Sequence, residues 1–265
     1  MKVYGADFSG AMNPSKSIYY AEGLLDNNKL LIERVVHCDD RLDLLAAIHF
    51  SKAPWGLDFP FSIPVKALNQ MKMNSWVELL ENVVGFKRSD FDPLGSKSTD
   101  ISFEVRCQQS SICCRSVDAS TNAFSPLKRY VPNMLMMTYA GLKLLSYLRK
   151  FGNVVYPFDH FNNSVSRLYE IYPSHTWRQT GLCRKLYIKE FFEIFQDKYN
   201  FKVEISDHLL PLKTLDAADA VIACVTLAYA LDKNKFEADW DKKHSWYSDD
   251  EWKNRHLEGL IVKMH

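Results

Sequence analysis

The stretch KVYGADFSGAMN, residues 2–13, decides how the rest of the chain is read. Val3, Gly5 and Asp7 alternate with Tyr4, Ala6 and Phe8, so residues 2–8 predict a strand with a carboxylate at its C-terminal end. Ser9, Gly10 and Ala11 follow at once, all with short side chains. Asp7 therefore has three open roles: turn residue, phosphate-loop residue or metal ligand. Taken alone, a strand-end aspartate is most simply a turn residue, so the choice rests on what accompanies it.

Two β-rich runs come next, SIYYAEGLL (17–25) and KLLIERVVH (29–37). Asp26-Asn27-Asn28 between them favours a tight turn, which predicts an antiparallel hairpin beside the first strand. Asp39 or Asp40 caps a helix over about 41–51, where Leu42, Leu45, Ala46 and His49 recur at helical spacing. The core WGLDF of APWGLDFPFSIP is short, apolar and stopped by Pro60. It predicts a buried strand that delivers Asp58 to its C-terminal end. The first 60 residues thus read β-β-β-α-β, with an aspartate ending the first and last strands.

Residues 61–165 read as a large, mainly helical insertion. Ser75-Trp-Val-Glu78 has the form of a capping box, and YVPNMLMMTYAGLKLLSYLRKFG reads as a helix ending at Gly152. The polar stretch between them, 87–128, has a length usually reserved for functional or mobile loops. Beyond the insertion, RLYEIYPS (167–174) predicts a strand carrying Glu170, and helices follow over about 184–199 and 214–231. Residues 233–265 form a charged C-terminal extension, pinned by Trp240, Trp246 and Trp252, whose closing LEGLIVKM can add an edge strand. One domain spans 1–265, with no internal repeat.

Composition narrows the classes. Hydrophobic residues make up 47% of the 265, enough for a sizeable core, and Lys+Arg (33) nearly balances Asp+Glu (32). No bulk charge advertises nucleic acid or membrane, so either partner must be met by a local patch. No run reaches the roughly 20 apolar residues of a membrane span, and the N-terminus lacks the apolar segment of a signal peptide. A soluble, cytoplasmic protein without a membrane partner is expected. The six cysteines show no paired C-x-x-C spacing; Cys107, Cys113 and Cys114 read as reduced structural thiols in preference to a metal or redox site.

The chemistry enters through the last helix. Asp216 and Asp219 are three apart and share a face, at the edge of an otherwise apolar helix. Either could simply favour the positive end of the helix dipole. Together with Asp7 and Asp58 they mean more, because an ionised carboxylate at the end of a buried strand is costly unless paired or bound to a cation. A cluster of such groups repels itself, and hard, oxygen-seeking Mg²⁺ or Mn²⁺ neutralises it. Two such ions roughly 3.5 to 4 Å apart can activate a water and stabilise the leaving oxygen in phosphodiester cleavage.

The order β-β-β-α-β followed by a last helix, with Asp7 in GADFSGA, Asp58 in GLDFPFS and Asp219 in DAADAVIA, resembles the ribonuclease H-like superfamily. Asp216-x-x-Asp219 opening an alanine-rich helix is similar to the Holliday-junction resolvase branch. Within it, DFSGA, DFPFS, YEIYPS and DAADAVIACVTLAYA in this order resemble a family of predicted ribonuclease H-like nucleases long described as a domain of unknown function. The resemblance covers about 1–60 and 165–232. It implies an α/β fold with a ribonuclease H-like mixed five-stranded sheet flanked by helices. It also implies a metal-dependent nuclease site of Asp7, Asp58, Asp216 and Asp219, with Glu170 as a supporting or additional acid.

Ser9-Gly10-Ala11 leaves room for a phosphate near the backbone. A similar turn in the actin-like sugar-kinase and ATPase fold supplies the alternative of a nucleotide-phosphate-binding protein, although no second glycine-rich loop is found. A non-catalytic module binding nucleic acid or protein is the other alternative. Lys87, Arg88, Lys97, Arg106, Arg115, Lys128 and Arg129 concentrate in the insertion and can form a phosphate-contacting patch, though solvated surface charge explains each singly. His160, His175 and His208 lie near the acidic segments as possible proton shuttles, with a plain polar or core role the simpler reading. Met134, Met136 and Met137 read as helix core, not as a cofactor box.

Overall fold

The computed structural model describes residues 1–13, 15, 17–91, 114–129, 133–184, 188–233, 237 and 240–264. The strands are β1 (Lys2–Asp7), β2 (Tyr19–Asp26), β3 (Lys29–His37), β4 (Pro54–Asp58), β5 (Val154–Val155), β6 (Arg167–Glu170) and β7 (Lys202–Ile205). The helices are α1 (Arg41–Ser51), α2 (Val65–Gln70), α3 (Trp76–Gly85), α4 (Arg88–Phe91), α5 (Ser116–Thr121), α6 (Met134–Lys150), α7 (Pro173–Gln179), α8 (Lys189–Tyr199), α9 (Leu215–Lys233) and α10 (Asp249–Glu258).

The strands form one mixed sheet of seven, in the order β5-β6-β4-β1-β2-β3-β7. The expected count of five is therefore corrected. Val154–Val155 and Lys202–Ile205 are the additions, too short and too little alternating to be read as strands from sequence. The first addition also closes the stretch 61–165 with sheet. β1 runs antiparallel to β2 and parallel to β4, and β2 to β3 is the expected hairpin. Its turn holds Asn27 at φ 39° and Asn28 at φ 64°, two left-handed residues in a row, a conformation asparagine accepts more readily than most residues.

Helices cover both faces. On one, Tyr4, Ala6, Trp55 and Leu57 pack with residues of α1, α3 and α6; on the other, Val3, Ala21 and Ile32 pack with α7, α8 and α9. The alternation read in β1 is thus observed. Each large apolar side chain fully buried in such layers contributes about 1.5–3 kcal/mol. α9 lies against the sheet almost without side chains between: a Cβ on Gly5 would stand 2.0 Å from the Cys224 backbone nitrogen. The buried alanines 220 and 223 lie at this contact and permit the approach.

Local details differ from the sequence reading where neighbouring side chains compete for the same role. Asp40 caps α1, accepting from the amides of Leu42 and Asp43, but the inward stripe is Leu44 and Ile48, while Leu42 is 70% exposed. Ser75 caps α3 as expected, yet Glu78 reaches back to the Asn74 amide, one residue beyond the box position. α6 begins at Met134, capped by Asn133, and Gly152 beyond its end takes φ +85°. The helix expected from 184 starts at Lys189. In the C-terminal extension Trp240 is buried and donates to the Asp159 carbonyl, and α10 is a regular helix opened by a Ser248/Glu251 capping box. Its closing segment adds a single parallel bridge from Ile261 to Glu170, not a full strand. Among the described residues no helix is long and apolar enough to cross a membrane.

Candidate metal centre

Asp7 and Asp58 are register partners at the ends of the adjacent parallel strands β1 and β4. Gly5 and Gly56, two residues before each, both face α9, so strand alternation turns the two carboxylates toward that helix. Asp219 comes down from the first turns of α9. One carboxylate oxygen from each of Asp7, Asp58 and Asp219 lies within 4.8 Å of the others. Asp7 is 8% exposed and Asp219 3%. Asp216, one turn earlier, stands at the rim with its side chain 34% exposed and lies outside this convergent trio.

The positive charge in the cluster comes from a residue with no signal in the sequence. Arg184, between α7 and α8, places its guanidinium 2.5 Å from Asp219 Oδ2 and 3.5 Å from Asp216 Oδ1. Trp177 of α7 donates its indole N–H to Asp219 Oδ1 at 2.9 Å. Both Asp219 oxygens are therefore engaged. Asp7 and Asp58 converge with Asp219, and among the described residues neither is ion-paired with Lys or Arg.

Burial first, then repulsion from Asp58, Asp219 and Asp216, holds the Asp7 carboxyl well above its usual range against the pull of Arg184. Asp58 is raised well above it too, by burial and then by Asp219, with Arg184 opposing. Asp219 is raised by burial, with Arg184 and Trp177 working against the rise. Such a set holds charge only at a cost, and a divalent cation removes that cost. All donors are oxygens, which suits a hard ion such as Mg²⁺ or Mn²⁺ over one that prefers nitrogen or sulfur. The three residues present thus fit the expected metal, with Asp216 as a rim neighbour.

A cleft of about 640 Å³ opens over the carboxylates. Ser9, Gly10 and Ala11 form part of its wall, and Arg41 fixes their backbone by donating to the carbonyls of Ser9 and Ala11. Gly10 is small for a second reason: a Cβ there would come 2.3 Å from the Met137 amide nitrogen of α6. The methionines expected as core do bury Met134 and Met136, but these two and Met137 also line the cleft. Arg88, Phe124 and Tyr172 line it as well. No histidine does so among the described residues.

Four sequence expectations land elsewhere. Glu170 is on β6, but it faces away from Ile171, which packs at Gly56 beside Asp58; alternation sends it to the opposite side of the sheet. There Glu170 accepts from the Phe61 amide and from Arg115. Arg115 is 1% exposed and spends its guanidinium on Asp118, Glu170 and the Glu258 carbonyl, so it is no phosphate contact. Lys128 is 6% exposed with its ammonium 3.6 Å from the Phe124 ring centroid, a packed position off the cleft lining and not the phosphate-contacting one expected. Arg129 is exposed, though not on the cleft, and Arg106 lies outside the described residues, as do Cys107 and Cys113. Cys114 is buried.

Fold and site together define a class, an α/β protein with a carboxylate trio at the floor of a cleft. No protein-family model matches the chain, and neither a curated protein nor a solved structure does.

Proposed function

We propose that this chain is a divalent-metal-dependent nuclease of ribonuclease H-like type, hydrolysing phosphodiester bonds of nucleic acid with Mg²⁺ or Mn²⁺ held by Asp7, Asp58 and Asp219. The convergence of those three carboxylates, two buried and one partly buried, within 4.8 Å carries the reading. The β-β-β-α-β order and the alanine-rich last helix support its fold component. When bound, the metal supplies water activation and charge stabilisation on the leaving oxygen.

The chain's own residues prepare the site. Two central strands fix Asp7 and Asp58, and rigid elements hold such groups better than loops. Trp177 orients Asp219, Asp216 adds negative charge at the mouth, and Arg41 holds the backbone of the Ser9–Ala11 wall in place. Arg88 and Arg184 take over the phosphate-contacting role expected of Arg115 and Lys128, while Met137, Phe124 and Tyr172 offer an apolar surface to sugars and bases.

The test is a panel of single-stranded, duplex, hybrid and branched DNA and RNA, incubated with Mg²⁺ or Mn²⁺ and with a chelator. Cleavage that needs the metal and disappears in Asp7→Asn is expected. Absence of Mn²⁺ binding overturns the reading. Stabilisation by ATP without cleavage favours the nucleotide-binding alternative, and a gel shift without cleavage favours the binding module.

A further inference from the structure

The cluster already contains a cation, and it is a side chain. Arg184 bonds to Asp219, one of the three carboxylates assigned to the metal, and reaches Asp216 beside it. Asp219 has two oxygens; one is committed to Trp177 and the other to Arg184. A divalent ion that coordinates through Oδ2 would stand beside the guanidinium on the same oxygen, and two positive charges so close repel.

Whether Arg184 can give way is decided by its surroundings. Its side chain is 39% exposed and opens onto the cleft, in contrast to Arg115 at 1%. Leaving Asp219 takes Arg184 into water or onto a ligand in the cleft, not into an apolar interior. The planar fork of a guanidinium matches the non-bridging oxygens of a phosphodiester, to which it can donate two parallel bonds.

We propose that Arg184 is an exchangeable counter-ion: it rests on Asp219 and Asp216 without metal, and on metal binding it swings to the phosphate of the substrate in the cleft. This rests on the metal-dependent reading above. It gives Asp216 a task that its position outside the convergent trio leaves open, as the rim half of the resting place. Competition between arginine and metal also ties substrate to metal. Metal binding frees the phosphate contact, and a phosphate that holds Arg184 leaves Asp219 to the ion, so each favours the other.

The opposite signs of two affinities test it. Mn²⁺ affinity is measured by titration calorimetry on wild type, Arg184→Gln and Arg184→Lys, and affinity for labelled single-stranded and duplex oligonucleotides by anisotropy in Ca²⁺. Arg184→Gln should bind Mn²⁺ roughly tenfold tighter and the best-bound oligonucleotide roughly tenfold more weakly, a usual size for coupling between sites. Arg184→Lys should fall between Gln and wild type in both. A merely structural arginine would weaken both affinities in Arg184→Gln, and that outcome, or an unchanged Mn²⁺ affinity, overturns the exchange. An unchanged oligonucleotide affinity overturns the phosphate contact. A wild-type chain that binds no Mn²⁺ fails earlier, together with the nuclease reading.

Discussion

Two groups of buried or partly buried acids lie almost back to back in this protein, and they are built on opposite principles. In the first, Arg115 is surrounded by Asp118, Glu170 and the Glu258 carbonyl, and Glu258 itself accepts from the amides of Val65 and Ser116. Burial works to lower the Arg115 pKa, but Asp118 and Glu170 overcome it and leave the guanidinium well above its usual range. In the second, among the described residues, Asp219 alone of Asp7, Asp58 and Asp219 is ion-paired, with the half-exposed Arg184. A cavity of about 20 Å³, enough for one water, touches both Asp58 and the Arg115 group. The contrast separates two uses of buried charge. Where donors are matched to acceptors, the charges staple insertion, sheet and C-terminal extension together. Where they are not matched, the chain stores an affinity for something positive.

The contrast breaks most visibly at Arg115. Arg115→Met should cost about 3–5 kcal/mol, since it strands Asp118 and Glu170 without a cation; urea denaturation reads this, and a loss below 1 kcal/mol would mean that the network is not the staple described. Asp58→Asn should act in the opposite direction. It should raise the melting temperature in chelator while lowering metal-dependent cleavage by more than about 100-fold, beyond the loss usual for an outer partner of a metal ligand. A variant less stable than wild type in chelator would show the trio to be structural.

pH sharpens the same point. Asp7, Asp58 and Asp219 bind protons more tightly folded than unfolded, through burial above all, so their raised values lie above the ordinary 3.8. The folded state then holds more protons between 3.8 and those values, and stability falls as pH rises through that window. Wild type minus Asp58→Asn melting temperature, in chelator, should therefore become more negative from acid toward neutrality and recover in Mn²⁺. The smallest effect is at Trp177. Trp177→Phe removes the donor to Asp219 Oδ1, and metal affinity measured by calorimetry should drop by roughly tenfold.

Much of the frame was legible because it is written at short range. Alternation in residues 2–8, the Asn-Asn turn and the cap at Asp40 each act within a few positions, and each stands where the sequence put it. The trio was legible too, since strand ends and helix turns fix the direction of Asp7, Asp58 and Asp219. What stayed hidden was partnership across long separations. Arg184 has no periodicity or motif around it, and nothing in GLCRKLY points to an aspartate on the next long helix. Arg115 and Glu170 are 55 positions apart, and only the folded chain reveals that each answers the other. Glu170, read as a supporting or additional acid, stands one step of alternation from the trio's face, on the other side of its strand, and its charge still raises the Asp58 carboxyl. The short strands β5 and β7 owe their pairing to neighbours, not to a pattern of their own.

The bare contact of α9 with the sheet has a consequence for how such a site can fail. The separation of the third acid from the other two is a thickness, set by alanine methyls and by the absence of a Cβ at Gly5. These residues act as shims. One larger side chain slipped beneath the helix would lift Asp219 off its companions while every acid, donor and cleft residue kept its identity. Anyone taking inventory of the site would find nothing missing.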